Sequence, residues 1–163
     1  MSAIRWTGLA TVVLGGALSG WALALGQAVF LIAIGGVLFG VHWGNPLAVA
    51  ALVAAVTLTA TGAGMLLGAV ARTPEQALAV GVPLGIGLGM LGGCMWPLDS
   101  VGPTMRAVGH LVPQAWAMDG FIRLVFDHAT IGAIGGPLLV LAAYGAVLLT
   151  IATWQTRRAI VNP

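Results

Sequence analysis

The 163-residue chain has no lysine, a single cysteine and only four carboxylates, and it runs from Arg5 to Arg72 without one Asp, Glu, Lys or Arg. Each shortage excludes something. One cysteine, Cys94, cannot form an internal disulfide. The six arginines are scattered apart from Arg157-Arg158, so there is no basic patch to follow phosphates and a nucleic-acid partner is not expected. No GxxxxGK[ST] string occurs, which excludes a P-loop nucleotide site within this sequence. His42, His110, His128 and Cys94 have no metal-ligand spacing, and no cofactor is expected.

What is present is apolar. Hydrophobic residues make up 60% of the chain against 6% charged, and mean hydropathy is +1.05, a membrane profile. The uncharged stretch from 6 to 71 is long enough for two spans of about 20 residues, joined by a turn at VHWGNP, Val41 to Pro46. Two further uncharged runs, Glu75 to Asp99 and Asp127 to Arg157, hold one span each. The expected fold is all-α: one integral membrane domain over residues 1–163, with spans near 13–39, 47–69, 77–95 and 131–154. An external segment at 96–130 forms a short helical hairpin between the third and fourth spans. Arg5 before an apolar run containing Ala22-Leu23-Ala24 resembles a signal peptide. The run continues to Phe39, however, beyond the h-region of about 7–15 residues, and reads as a span. Arg5, Arg72, Arg157 and Arg158 fall on one side of this layout, which places both termini and the Arg72 turn in the cytoplasm.

Gly87 to Gly92 spells GxGxxG, but the strand and the soluble α/β setting of a dinucleotide cradle are missing. Glycine recurs at Gly81, Gly85, Gly89 and Gly93, a spacing that lets helices approach closely in lipid. These four are expected to pack the third span against its neighbours within the chain, the alternative being a subunit interface, with weaker copies at Gly16/Gly20, Gly36/Gly40, Gly64/Gly68 and Gly132/Gly136. Pro83 should kink that span. Ala17-Leu18-Ser19-Gly20 approaches an intramembrane protease motif but lacks its first glycine and a partner histidine. No carboxylate lies inside a span to support proton-coupled antiport, and Gln27 is the main polar side chain there.

After Trp96-Pro97, apolar Val101, Met105, Val108 and Leu111 fall at helical spacing. Pro113 ends that helix, and a second from Gln114 carries an apolar load heavy enough to dip into the membrane. On it, Asp119, Arg123 and Asp127 share a face, and Asp119 is expected to pair with Arg123.

These residues also resemble a known family. The run GMLLGAVARTPEQALAVGVPLGIGLGMLGGCMWPLDSVGPTMRAVGHLVPQAWAMDGFIRLV, Gly64 to Val125, is similar to the C-terminal half of a type-2 ABC transporter permease. The shared marks are the cytoplasmic ARTPEQA turn with Arg72 and Glu75, the GG-x-x-WP of Gly92-Gly93 and Trp96-Pro97, and H-x-x-P-x-x-W at His110, Pro113 and Trp116. The resemblance implies an external hairpin containing Trp96, Pro97, His110, Pro113 and Trp116, and the charge stripe with Asp119 and Arg123 reads as part of an outer gate there. It further implies a separate ATPase subunit, a second permease subunit (homo- or heterodimer), surrounding membrane lipid, a cell-membrane location and export of hydrophobic, drug-like compounds. Members of that family have six spans, and this chain begins where the third would start, so it is expected to be a truncated permease domain, incomplete without the first two. The competing reading is a small structural or pore-forming membrane protein outside the ABC class.

Overall fold

A computed structural model describes residues 2–161, with the side chains of residues 15–156 and of Arg158. The described residues form helices without strands: α1 Ser2–Phe39, α2 Pro46–Val70, α3 Pro74–Leu91, a 3-10 turn Leu98–Ser100, α4 Pro103–Gly109, α5 Pro113–Phe126 and α6 Gly135–Val161. Four stretches are long and apolar enough to cross a membrane: Gly15–Phe39, Pro46–Val70, Pro74–Leu91 and Gly135–Thr156. Arg5 and Arg157 fall outside the described side chains.

The helix starts follow local chemistry. Asn45 Oδ1 accepts from the Leu47 and Ala48 N–H groups, with Pro46 already fixed for the first turn. At the other end of the bundle, Thr73 Oγ1 accepts from Gln76 N–H and Gln76 Oε1 accepts from Arg72 N–H. Reciprocal bonding of this kind makes the TPEQ string a capping box variant. Glu75 then complements the positive end of α3.

The third helix stops at Leu91, four residues before the expected boundary. Gly93 N–H donates to Met90 O, Cys94 N–H donates to Gly89 O, and Gly93 takes φ +80°. That pattern is a Schellman motif, and Gly93 is its left-handed residue rather than a member of a packing stripe. The fourth span likewise starts at Gly135, because Thr130–Gly135 closes into turns first.

Helices α2 and α6 form the tightest pair. A Cβ on Gly62 would stand 2.9 Å from Leu148 Cβ and 3.2 Å from Leu149 N, while one on Gly145 would stand 3.3 Å from Leu58 Cγ. One turn of α6 before Gly145, Thr59 Oγ1–H reaches Leu141 O at 2.9 Å. Neither glycine belongs to a GxxxG repeat. Packing of the expected stripe within the chain is corrected accordingly: among the described residues Gly85 has no atom within 4 Å of an added Cβ, and Gly89 meets only Cys94 of its own chain segment. Only Gly81, against Leu67, makes a close approach between helices, and no residue of α3 is buried. Gly64, Gly68, Gly132 and Gly136 are likewise open, and Gly16, Gly20 and Gly64 help line a cleft of about 350 Å³ between α1 and α2.

The core lies at the hairpin end. Leu52 of α2, Leu124 of α5, and Ile134 and Leu141 beside or within α6 are almost fully buried together. Helix α5 is therefore a wedge driven into the bundle, in keeping with its apolar load. Gly120 lets it close on Leu52, whose methyl carbons would lie 2.8 Å from a Cβ there. On α1, Trp21 Nε1–H donates to Thr57 Oγ1, and Trp43 folds back over Gly35 to donate to Ile32 O.

Candidate functional site

The hairpin is held by a small polar cluster. Pro113 at the first position of α5 and the short α4 bring His110 over Asp119, nine residues away, with Nε2 to Oδ2 at 2.9 Å. His110 Nδ1 lies 2.8 Å from Arg106 O, and Trp116 Nε1–H donates to His110 O at 2.9 Å. The His110 and Trp116 rings meet edge to face at 5.1 Å. Tyr144 of α6 then ties the turn to the bundle, its O–H donating to Leu111 O at 2.8 Å.

This arrangement overturns the Asp119–Arg123 pair. Asp119 is taken by His110, while Arg123 Nη1–H donates to Ala133 O and braces the loop before α6. The helix-spacing rule compares only residues on one helix, whereas the tight α4–α5 turn supplies a nearer partner. Arg106 bridges Asp99 at 2.7 Å, but both side chains are largely exposed and the pair adds little stability. The other marked residues are spread out: Trp96 is partly exposed, Pro97 precedes the 3-10 turn, and Arg72 and Glu75 sit exposed at the opposite end of the bundle.

Both groups facing the His110 ring, a carbonyl and a carboxylate, accept hydrogen bonds, so the imidazolium satisfies them together. The Asp119 hydrogen bond holds its pKa above the ordinary value, against the partial burial and the opposing Arg106 charge. A raised folded-state pKa means the contribution is fully present below the unfolded value of about 6.5 and is lost as pH rises through the folded one. We expect Asp119→Asn to loosen the hairpin by about 1–2 kcal/mol, between the worth of an exposed pair and that of a buried charged hydrogen bond. Hydrogen exchange across α4 and α5 at stepped pH checks this: wild type should lose protection as pH rises through the raised His110 pKa and Asp119→Asn should show no such step. A pH-independent wild type would contradict it.

Beneath the hairpin, α2, α3, α5 and α6 enclose an open-sided slot of about 690 Å³. Its walls are apolar, among them Val56, Leu67, Val70, Leu84 and Leu148, and Gln114 and Tyr144 border its hairpin end. Gln114 is placed by Gly92, where a Cβ would come within 2.5 Å of Gln114 Cβ and 2.9 Å of Ala115 N. Its Oε1 is buried and has no hydrogen-bond partner among the described residues. The sequence reading missed Gln114, Thr59 and Tyr144. Only the rarity of tyrosine, one in the chain, marked any of them.

Four apolar crossings with a wedged helical hairpin define a multi-pass membrane protein of the helical-bundle class. Residues 7–154 match the ABC-2 family transporter protein family, and the chain belongs to that family. It is similar to the linearmycin resistance permease protein LnrN of Bacillus subtilis (strain 168), at 39% identity over 110 residues. That stretch covers 68% of this chain and 29% of the relative, so the match spans less than a third of that protein's length. No solved structure matches the chain. Family membership sets aside the reading of a small membrane protein outside the ABC class.

Proposed function

We propose that the chain serves as the membrane-spanning permease component of an ATP-driven exporter of hydrophobic, drug-like compounds, with ATP hydrolysis in a separate nucleotide-binding subunit. The family match carries this reading, supported by the likeness to a resistance permease. The TPEQ-capped turn offers Arg72 and Glu75 to a partner at one end of the bundle, and α3, none of whose residues is fully buried, offers a face to a second permease subunit. The cell membrane is its place, with both termini and the Arg72 turn on the cytoplasmic side and the hairpin outside.

The test is ATP-dependent accumulation of a hydrophobic dye in inverted vesicles carrying the chain with a partner ABC ATPase. Accumulation should need both proteins and ATP. Accumulation with the ATPase omitted, or none with both present even when the other spans of a six-span family permease are supplied in trans, would overturn the proposal. Orientation is checked separately in a Cys94→Ala background: in intact cells an impermeant maleimide should label Ser100→Cys and spare Thr73→Cys. The reverse pattern would invert the topology.

A further inference from the structure

Helices α4 and α5 are held to the bundle by different means. Along α5, Ala115 and Leu124 are completely buried and Gly120 closes on Leu52, so that helix is fixed by packing. Along α4 every residue from Pro103 to Val108 is exposed, and only Gly109 is buried, beside Leu98 and the Leu91 carbonyl. Gly102, which enters α4 at φ +81°, makes no side-chain cap bond and has open space where a Cβ would stand. At the other end of α4 the ties are polar. His110 meets Asp119 of α5, Trp116 of α5 donates to His110 O, and Tyr144 of α6 donates to Leu111 O. The exposed Arg106–Asp99 pair is too weak to hold the helix alone.

One of these ties depends on a proton. The His110 ring stands between two acceptors, Arg106 O at Nδ1 and Asp119 Oδ2 at Nε2, and only the imidazolium donates from both nitrogens. Neutral imidazole leaves one acceptor unpaired. The neighbouring groups supply no substitute donor: the Arg106 guanidinium is turned to Asp99 of the 3-10 turn, Arg123 to Ala133 O, and Tyr144 gives its hydrogen to Leu111 O. Between α3 and that turn, Cys94 is the one titratable side chain. The His110 and Asp119 side chains are 19% and 21% exposed, so the pair exchanges protons with water while staying partly shielded from it.

We propose that α4 is a proton-operated lid: with His110 protonated it lies closed on α5, and on deprotonation it swings away about its two ends, Gly102 and the Leu111–Val112 turn, while α5 stays seated in the core. Leu111 and Val112 also border the slot, so the movement reaches its hairpin end. The closed form binds the proton more tightly than the open one, in line with the Asp119 bond that holds the His110 pKa above its ordinary value. The lid is therefore shut in acid and released as pH rises through that raised value. That it faces outward rests on the proposed orientation of the exporter; its movement does not.

Spin-label distances read the movement without transport. In a Cys94→Ala background, which removes the single native cysteine, the purified chain in lipid nanodiscs carries labels on Ala107→Cys of α4 and Phe126→Cys at the end of α5, both exposed positions. One distance should prevail in acid. When the pH is raised, a second, longer one should gain about tenfold on the first, the order expected for losing one charged hydrogen bond at a partly exposed pair. Labels on Leu78→Cys and Phe126→Cys should keep one distance throughout, since α5 does not move. His110→Gln cannot titrate and should remove the pH step. Tyr144→Phe removes a tie without touching the ring, and should raise the longer distance at every pH while leaving the step in place. A single Ala107–Phe126 distance at all pH values, a step that survives His110→Gln, or equal movement of the Leu78–Phe126 pair would each overturn the proposal. None of these readings involves orientation or ATP, so the vesicle and maleimide assays judge the exporter reading separately.

Discussion

Gly62→Leu should cost the fold about 3 kcal/mol or more, while Gly85→Leu should cost almost nothing. At Gly62 even the first added carbon would meet Leu148 Cβ at 2.9 Å, Leu149 N at 3.2 Å and Gly145 O at 3.4 Å. Two of those atoms are α6 backbone and cannot rotate away, so α2 and α6 must separate. Separation breaks the Thr59 to Leu141 hydrogen bond and lifts Leu141 from the core. Overpacking alone is worth about 1–3 kcal/mol, and the lost contacts add to it. At Gly85 nothing lies within 4 Å among the described residues, and leucine is the better helix former. In thermal unfolding of the purified chain, about 3 kcal/mol corresponds to roughly 6–12 °C for a chain of this size. Equal midpoints for the two variants would mean that the glycine stripe on α3, not the α2–α6 crossing, holds the bundle.

That contrast shows where the sequence was readable. The four crossings follow from uninterrupted apolar runs, and the starts of α2 and α3 lie at Asn45-Pro46 and Thr73-Pro74, where capping chemistry is local. Glycine was harder, because one residue type serves several purposes. Gly93 turns the chain left-handed, Gly92 admits Gln114 and Gly62 admits a helix, yet the spacing rule grouped Gly93 with open Gly85 and passed over Gly62. Spacing reports which residues share a face, not what that face meets. The His110–Asp119 contact and the pairing of Gln114 with Tyr144 at one slot are set by the fold of the hairpin onto α6, which no helical period encodes.

A second pair of substitutions tests how the hairpin wedge is seated. Gly40 and Gly44 both lie in the α1–α2 turn with positive φ, +64° and +74°, so alanine at either costs about 1–2 kcal/mol of backbone strain. Their surroundings differ. Gly40 has open space, whereas a Cβ on Gly44 would lie 2.5 Å from Leu124 O and 3.4 Å from its carbonyl carbon. That carbonyl belongs to α5, and the Leu124 side chain is completely buried in the core. The collision can be relieved only by moving α5. Such a shift would also disturb the edge contact of Trp43 with Phe121 and the approach of Gly120 to Leu52. Gly44→Ala should therefore cost about 2 kcal/mol beyond Gly40→Ala, within the range for overpacked sites. Limited trypsin digestion reads this directly, since Arg106 and Arg123 are the hairpin's cleavage sites. Opening that unwinds the backbone at these exposed arginines should rise about thirtyfold in Gly44→Ala relative to Gly40→Ala, following the population of the open state. Equal cleavage of the two variants would show that α5 is not wedged against the turn, and the seating of the hairpin described above would then be wrong.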